Sequence, residues 1–300
     1  MSRIGLVFAV TAAALFGVGG TCAQFLFQQR GLSVDWLVTM RLLCGGVILL
    51  AMAALRQGVR IFDIWRADAV TLALFGLIGM MPIQYTFMAA IEASNSATAT
   101  ILQFTAPAMI AVWFAVTMGK APDSRAMIAI ALAMLGVFFL VTHGDPAALS
   151  ISGMALFWGL ASAVAAAFNS IQPARLLRHY DAPMVAGWGM LVGGAALACV
   201  YPPWRVEGDW DIATYGFFAV VIVPGTLIAF YLYIHALRQI GAQRASLLTC
   251  VEPLSATLLA VLWLGVAWGG MDWLGTACII ATVVLLARKQ TAETQAEKVT

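Results

Sequence analysis

The sequence predicts an all-α integral membrane protein with ten transmembrane helices in two inverted five-helix repeats. Composition is the first reason: 62% of the 300 residues are apolar and only 10% are charged. A soluble domain needs far more charge to cover its surface. Periodicity is the second. Apolar runs of spanning length recur along the whole chain, and ten spans of ~20 residues occupy about two thirds of it. The third is self-similarity. With an offset of about 146 residues, Asn95–Gly119 overlays Gly241–Gly265 without a gap: Pro107 falls on Pro253, Ala99 on Ala245, Thr100 on Ser246.

The apolar runs and their breaks place helices at 4–25, 34–55, 69–90, 95–116, 124–142, 152–174, 182–201, 212–236, 242–264 and 271–288. Helix is the required conformation, because lipid-exposed backbone must satisfy its own hydrogen bonds and no stretch reads as a barrel strand. The first run has no cleavage-site pattern behind it and reads as a mature span. An offset of about 148 aligns the first halves as well: Gly5 with Gly153, Gln24 with Gln172, Gly45–Gly46 with Gly193–Gly194. The chain thus divides into residues 1–146, a second unit at 147–290, and a polar tail at 291–300 expected to be disordered. Five spans per unit is odd, so the second unit runs through the bilayer upside down.

Charge sets the orientation. With the N-terminus inside, Arg3, Arg56, Arg60, Arg66, Lys120, Arg125, Arg175, Arg178, Arg238, Arg244, Arg288, Lys289 and Lys298 fall on the inner side. Only Arg30 and Arg205 fall outside, and Arg41 lies within a span. This positive-inside bias puts both termini in the cytoplasm, with the protein in the plasma (inner) membrane. The five cysteines (Cys22, Cys44, Cys199, Cys250, Cys278) sit singly in apolar runs and read as buried free thiols. No cofactor or metal is expected, and no nucleic-acid partner. The partners expected are the bilayer and a small-molecule solute, with a monomer sufficient.

The two stretches Ala99–Thr100–Ile101–Leu102–Gln103–Phe104–Thr105–Ala106–Pro107 and Ala245–Ser246–Leu247–Leu248–Thr249–Cys250–Val251–Glu252–Pro253, set in two five-helix halves, resemble the EamA-type branch of the drug/metabolite transporter superfamily. Within it the chain looks closest to the YddG-type exporters of aromatic amino acids. The resemblance covers nearly the whole chain and implies a secondary transporter, not an enzyme. One departure stands out. Many relatives close the proline-bearing helix with Leu-Gly-Glu, whereas here the matching stretches are Met118–Gly119–Lys120 and Leu264–Gly265–Val266. No role of that glutamate carries over.

Polar side chains inside apolar helices are the informative ones. Thr21 and Gln24 share one face of the first helix with Gly17 and Gln28. Trp158, Asn169 and Gln172 share one face of the sixth. Gln103 and Pro107 lie on the fourth helix, Thr249, Glu252 and Pro253 on the ninth, Gln84 and Tyr85 on the third, and Tyr231 on the eighth. Hydroxyl and small residues at such positions also serve helix packing. Amides are harder to satisfy by packing, so they read as cavity lining. The expected solute site is therefore Thr21, Gln24, Gln84, Tyr85, Gln103, Phe104, Trp158, Asn169, Thr249 and Glu252. Gln172, Tyr231, Pro107 and Pro253 are expected at gates or bends. Arg41, about two turns into its helix, is expected to reach outward to the interface.

The solute class follows from that lining. Aromatic rings with amides suit small amphipathic metabolites, foremost aromatic and other neutral amino acids. The chain has no Gly-x-x-x-x-Gly-Lys-Ser/Thr for ATP, no His-Glu-x-x-His or Gly-x-Ser-x-Gly for an intramembrane enzyme, and no visible filter loop for a channel.

Overall fold

The computed structural model describes residues 3–118, 124–143, 151–240, 248–249 and 251–297. Those residues are helical with short connections, and none of them forms a strand. Among the described residues, six helices are long and apolar enough to cross a membrane: Arg3–Arg30, Val34–Ala67, Ala69–Ala93, Gly153–His179, Ala182–Val200 and Ile212–Tyr233. Met127–Leu140 and Val251–Leu262 are shorter apolar helices. His, Cys, Asp and Glu side chains form no metal-holding group among the described residues.

The first unit begins with α1 (Arg3–Arg30) and α2 (Val34–Gln57). Ser33 caps α2 by accepting from the Trp36 N–H. A short helix α3 (Asp63–Ala67) leads to α4 (Ala69–Leu74), which runs through a π-helical segment, Phe75–Met80, into α5 (Met81–Ala93). Asn95 caps α6 (Ser96–Gln103). Phe104 and Thr105 form a turn, and the chain resumes as α7 (Ala106–Met118) and α8 (Ser124–Thr142). The fourth predicted helix is therefore two. Pro107 has no N–H to donate to the carbonyl of Gln103, so the helix ends before it.

The second unit holds α9 (Gly153–Ile171), α10 (Ala174–His179), α11 (Ala182–Val200) and α12 (Ile212–Ile222). Pro173 separates α9 from α10. A second π-helical segment, Val223–Ile228, joins α12 to α13 (Ala229–Ile240). Pro224 within it has no N–H for the carbonyl of Val220, which favours the one-residue bulge. The hydroxyl of Thr226 donates to the Val221 carbonyl at 2.8 Å, taking up an acceptor inside the bulge. Two more helices are described: α14 (Val251–Leu262) and α15 (Gly270–Glu297). The sequence places the ninth span from 242; residues 241–247 and 250 lie outside the described ones. One expectation is corrected outright. The tail is helical as far as Glu297, because α15 has no proline or glycine after Gly275 to stop it.

Packing is repetitive. α1 lies against α12, α13 and the π segment between them, and also against α14. α9 lies against α5 and its preceding π segment, and also against α6 and α7. α2 packs on α11, and α8 on α15. Glycines bring these backbones together. A Cβ on Gly19 would sit 3.0 Å from the Cα of Gly225, and one on Gly225 would sit 2.8 Å from the Cα of Gly19. In the α8–α15 pair, a Cβ on Gly136 would meet the Gly275 carbonyl at 2.9 Å, and the reverse contact would be 2.8 Å. Close approach of this kind gains dispersion where lipid offers no hydrophobic drive between helices.

Gly225→Val should therefore destabilise the protein by about 1–3 kcal/mol through overpacking, because what it meets is backbone. A Cβ on Gly153 meets nothing within 4 Å, so Gly153→Ala should be silent. Thermal unfolding of the two variants in detergent, beside the wild type, checks both.

Candidate functional site

The middle of α1 is where the polar side chains gather. Gly17 faces α14, where a Cβ would meet the Ser255 hydroxyl, the Glu252 carbonyl at 2.8 Å and the Ala256 N–H at 2.9 Å. One turn on, Thr21 is fully buried; its hydroxyl donates to the Gly17 carbonyl at 3.0 Å and lies 3.1 Å from the Ser96 hydroxyl. Gln24 is buried too. Its Oε1 accepts the Ser96 N–H at 2.9 Å, and its Nε2 donates to Gln28 Oε1 at 3.0 Å. The Ser96 N–H is one of the donors that the first turn of a helix leaves unmet. Thr21 and Gln24 thus fasten α1 to the start of α6.

An aromatic corner lies on α5 and α9. The Tyr85 hydroxyl donates to Asp35 Oδ1 at 2.7 Å, which fixes the ring. The Trp158 ring meets Tyr85 edge-on at 5.9 Å between centroids, and Phe157 at 5.0 Å. Gln84, next to Tyr85, is buried on α5. Phe104 turns the other way and packs with Ile101, Leu140 and Ile279. Gln103 ends α6 and is half-buried.

Further along α9, Asn169 faces the α5 end of the first π segment and Gln172 faces α4. The Asn169 side-chain oxygen lies 3.5 Å from where a Gly79 Cβ would stand. Gln172 donates to the Thr71 carbonyl at 3.3 Å. Among the described residues, the buried oxygens of both amides have no partner. Tyr231 is more exposed, and its ring lies tilted by 41° against that of His235 at 4.1 Å between centroids, in the first two turns of α13. Leu49, Arg56, Asp181 and His235 line a small pocket with it. Pro253 is buried in α14, Pro107 is the second residue of α7, and the Thr249 carbonyl accepts the Glu252 N–H at 2.8 Å.

Sequence reasoning misplaces Arg41 as well as Phe104. Arg41 does not reach outward; it is 7% exposed, and its Nε donates to the Thr226 hydroxyl at 2.9 Å. Glu252 lies in the first turn of α14. Only the depth of Arg41 in an apolar run marked it, and depth alone does not give direction.

Ion pairs flank the ends of the bundle. Arg30 meets Asp211 at 3.2 Å, and Arg175 meets Asp68 at 3.4 Å. The backbone N–H and hydroxyl of Thr214 hold the Asp211 carboxyl below its ordinary range. An open apolar groove of about 860 Å³ lies between α7, α8 and α9, lined among others by Met109, Val112, Met134, Val164 and Phe168, with Gln172 at its edge.

Helices of this length and apolarity, tied by glycine contacts and a few buried polar bonds, define a multi-pass membrane protein. Its class follows from comparison. The chain belongs to the EamA-like transporter family, whose sequence profile matches it twice, at residues 3–142 and 153–288. It is 41% identical over 292 residues to the uncharacterised inner membrane transporter YicL of Salmonella typhimurium, spanning 95% of this chain and 96% of that one. It is 24% identical over 294 residues to the uncharacterised transporter YwfM of Bacillus subtilis, spanning 96% of each. A solved crystal structure with 18% identity shares the fold, at a TM-score of 0.63 over 95% of this chain and 98% of the other.

Gln24→Leu should leave the Ser96 N–H unmet in a buried site and cost about 1–3 kcal/mol. Gln24→Glu keeps the acceptor for that N–H and should preserve more of the stability. Melting temperatures of the two purified variants check the ranking.

Proposed function

We propose that the chain is a secondary transporter exporting aromatic and other neutral amino acids by alternating access between two inverted five-helix units, residues 1–146 and 147–290. The observation that carries this reading is the paired packing. α1 with α12–α13 and α14 has its counterpart in α9 with α5 and α6–α7. Both of those contacts include a π segment, Val223–Ile228 in one case and Phe75–Met80 in the other. Exchange of the two units maps each set onto the other, and α2–α11 and α8–α15 onto themselves, as a pseudo-two-fold in the membrane plane requires. The double match to one family profile agrees with this.

Alternation is supported by how unequal the two halves are. Between α7, α8 and α9 the groove is open. The corresponding seam between α1 and α14 is shut by Gly17 against Ser255 and Ala256, and the Phe25 and Trp263 rings stack across it at 5.5 Å. With the basic residues inside, the open groove lies in the cytoplasmic half. Loading is then from the cytoplasm, with both termini cytoplasmic, as export requires.

The aromatic corner of Tyr85 and Trp158, with Gln84, offers a flat apolar face for a ring. The unmet oxygens of Asn169 and Gln172, further along α9, can accept N–H donors from a solute entering through the groove. Gln103 at the end of α6 and Thr249 ahead of α14 complete the shell, with Thr21 and Gln24 bracing it from α1 and Phe104 packing outside it. Gln172 and Tyr231 serve as gate residues, and Pro107 and Pro253 as bends.

Counterflow of labelled amino acids into proteoliposomes tests the reading. Wild type should exchange phenylalanine, tryptophan and threonine. Trp158→Ala should weaken the first two several-fold, equivalent to about 1 kcal/mol of lost ring contact, and threonine much less. Equal losses for all three would make Trp158 a packing residue; no exchange of any amino acid would defeat the solute class.

A further inference from the structure

Arg41 sits well inside a span, where a cation is costly. It lies seven residues past Val34, the start of α2, which is about 10 Å along the helix axis. Thr226 fixes its direction. That hydroxyl donates its own proton to Val221, so towards Arg41 it can only accept, and it takes the Nε–H. The remaining edge of the guanidinium points elsewhere. Nη1 is buried and has no hydrogen-bond partner among the described residues. A purely structural arginine at this depth would have its donors met, because a guanidinium carries five and an unmet buried donor is costly.

The surroundings say what the free edge awaits. Both groups stand against one stretch of α1, since Gly225, next to the Thr226 that holds Arg41, packs on Gly19, and Glu252 packs on Gly17. The Glu252 backbone carbonyl lies against Gly17, midway along α1, so the acid stands at the central level of the bundle. A guanidinium and a carboxylate side by side would make such a site close to neutral. A solute bearing a lone carboxylate would upset that balance, and so would a lone ammonium. A zwitterion would not: its carboxylate meets the guanidinium fork, and its ammonium meets Glu252.

We propose that Arg41 is the carboxylate-binding residue of the transport site, with Glu252 as the group that answers the solute's ammonium. The inference rests on the transport reading above but not on the solute being aromatic. Recognition by this pair is indifferent to the side chain, which the aromatic corner would select separately. Transported solutes are accordingly α-amino acids as a class, and compounds lacking either charged group are excluded.

Ligand-induced thermal stabilisation of the purified full-length protein tests this, with phenylalanine, threonine, phenylalaninol and 3-phenylpropionate as probes. Wild type should bind the amino acids at least about tenfold more tightly than phenylalaninol, which lacks the carboxylate, or 3-phenylpropionate, which lacks the ammonium. Arg41→Lys should bind phenylalanine more weakly than wild type, since it keeps the charge and loses the fork. The double variant Arg41→Gln/Glu252→Gln removes both charges together, so neither is left buried alone. It should fold and lose the preference for amino acids over phenylalaninol. Threonine binding without phenylalanine would leave the role of Arg41 standing and remove the aromatic preference. Phenylalaninol binding as tightly as phenylalanine would overturn the inference. So would a double variant that discriminates as wild type does, or a wild type stabilised by none of the four.

Discussion

The contact on which the arrangement depends is backbone against backbone along α1. On different sides of the helix, Gly17, Gly19 and Gly20 present backbone without side chains to α14, to the second π segment and to the start of α6 respectively. A methyl at Gly17 or Gly19 would meet main-chain atoms, which cannot swing aside. Such contacts supply dispersion and bring buried polar groups within bonding reach. Thr21 and Gln24 can reach Ser96 only because the backbones are this close. The same closeness brings Glu252 to the centre of the bundle. A glycine seam is also smooth, so two helices can tilt across it without unlocking interdigitated side chains.

Much of the fold was legible in the sequence, and for identifiable reasons. The segment Ser124–Thr142 was read with its observed bounds because charge and proline frame it. The start of α11 at Ala182 was equally plain, with Asp181 before it and Pro183 in its first turn. The π segments left no such mark. A one-residue bulge changes the hydrogen-bond register without changing apolarity, so hydropathy is blind to it. The break at Phe104–Thr105 was half legible: Pro107 announced a bend, not a full turn between two helices.

The candidate site divides the same way. That Thr21 and Gln24 share a face follows from spacing alone. That Ser96 takes up their polar atoms depends on a neighbour 72 residues from Gln24, and no local pattern encodes that. Phe104 was grouped with Trp158 because both are aromatic residues near polar stripes; it turns towards Leu140 and Ile279 instead. Arg41 was the largest misreading. A long side chain can reach either way, and the Thr226 hydroxyl that draws it inward comes from the second half of the chain.

Two seams that exchange of the halves would superpose are thus unlike, one shut by Gly17, Ser255 and the Phe25–Trp263 stack, the other open between α7, α8 and α9. The account requires that they trade places during transport. Paired spin labels test this most directly, one pair across the groove at Val116 and Phe168 and the other across the seam at Gln28 and Leu262, followed by pulsed distance measurement in liposomes with and without amino acid. The account predicts two distance populations at each pair, with solute shifting them in opposite senses, so that the groove narrows as the seam widens. A single unchanging distance at both pairs, in protein that still exchanges amino acids, would contradict it.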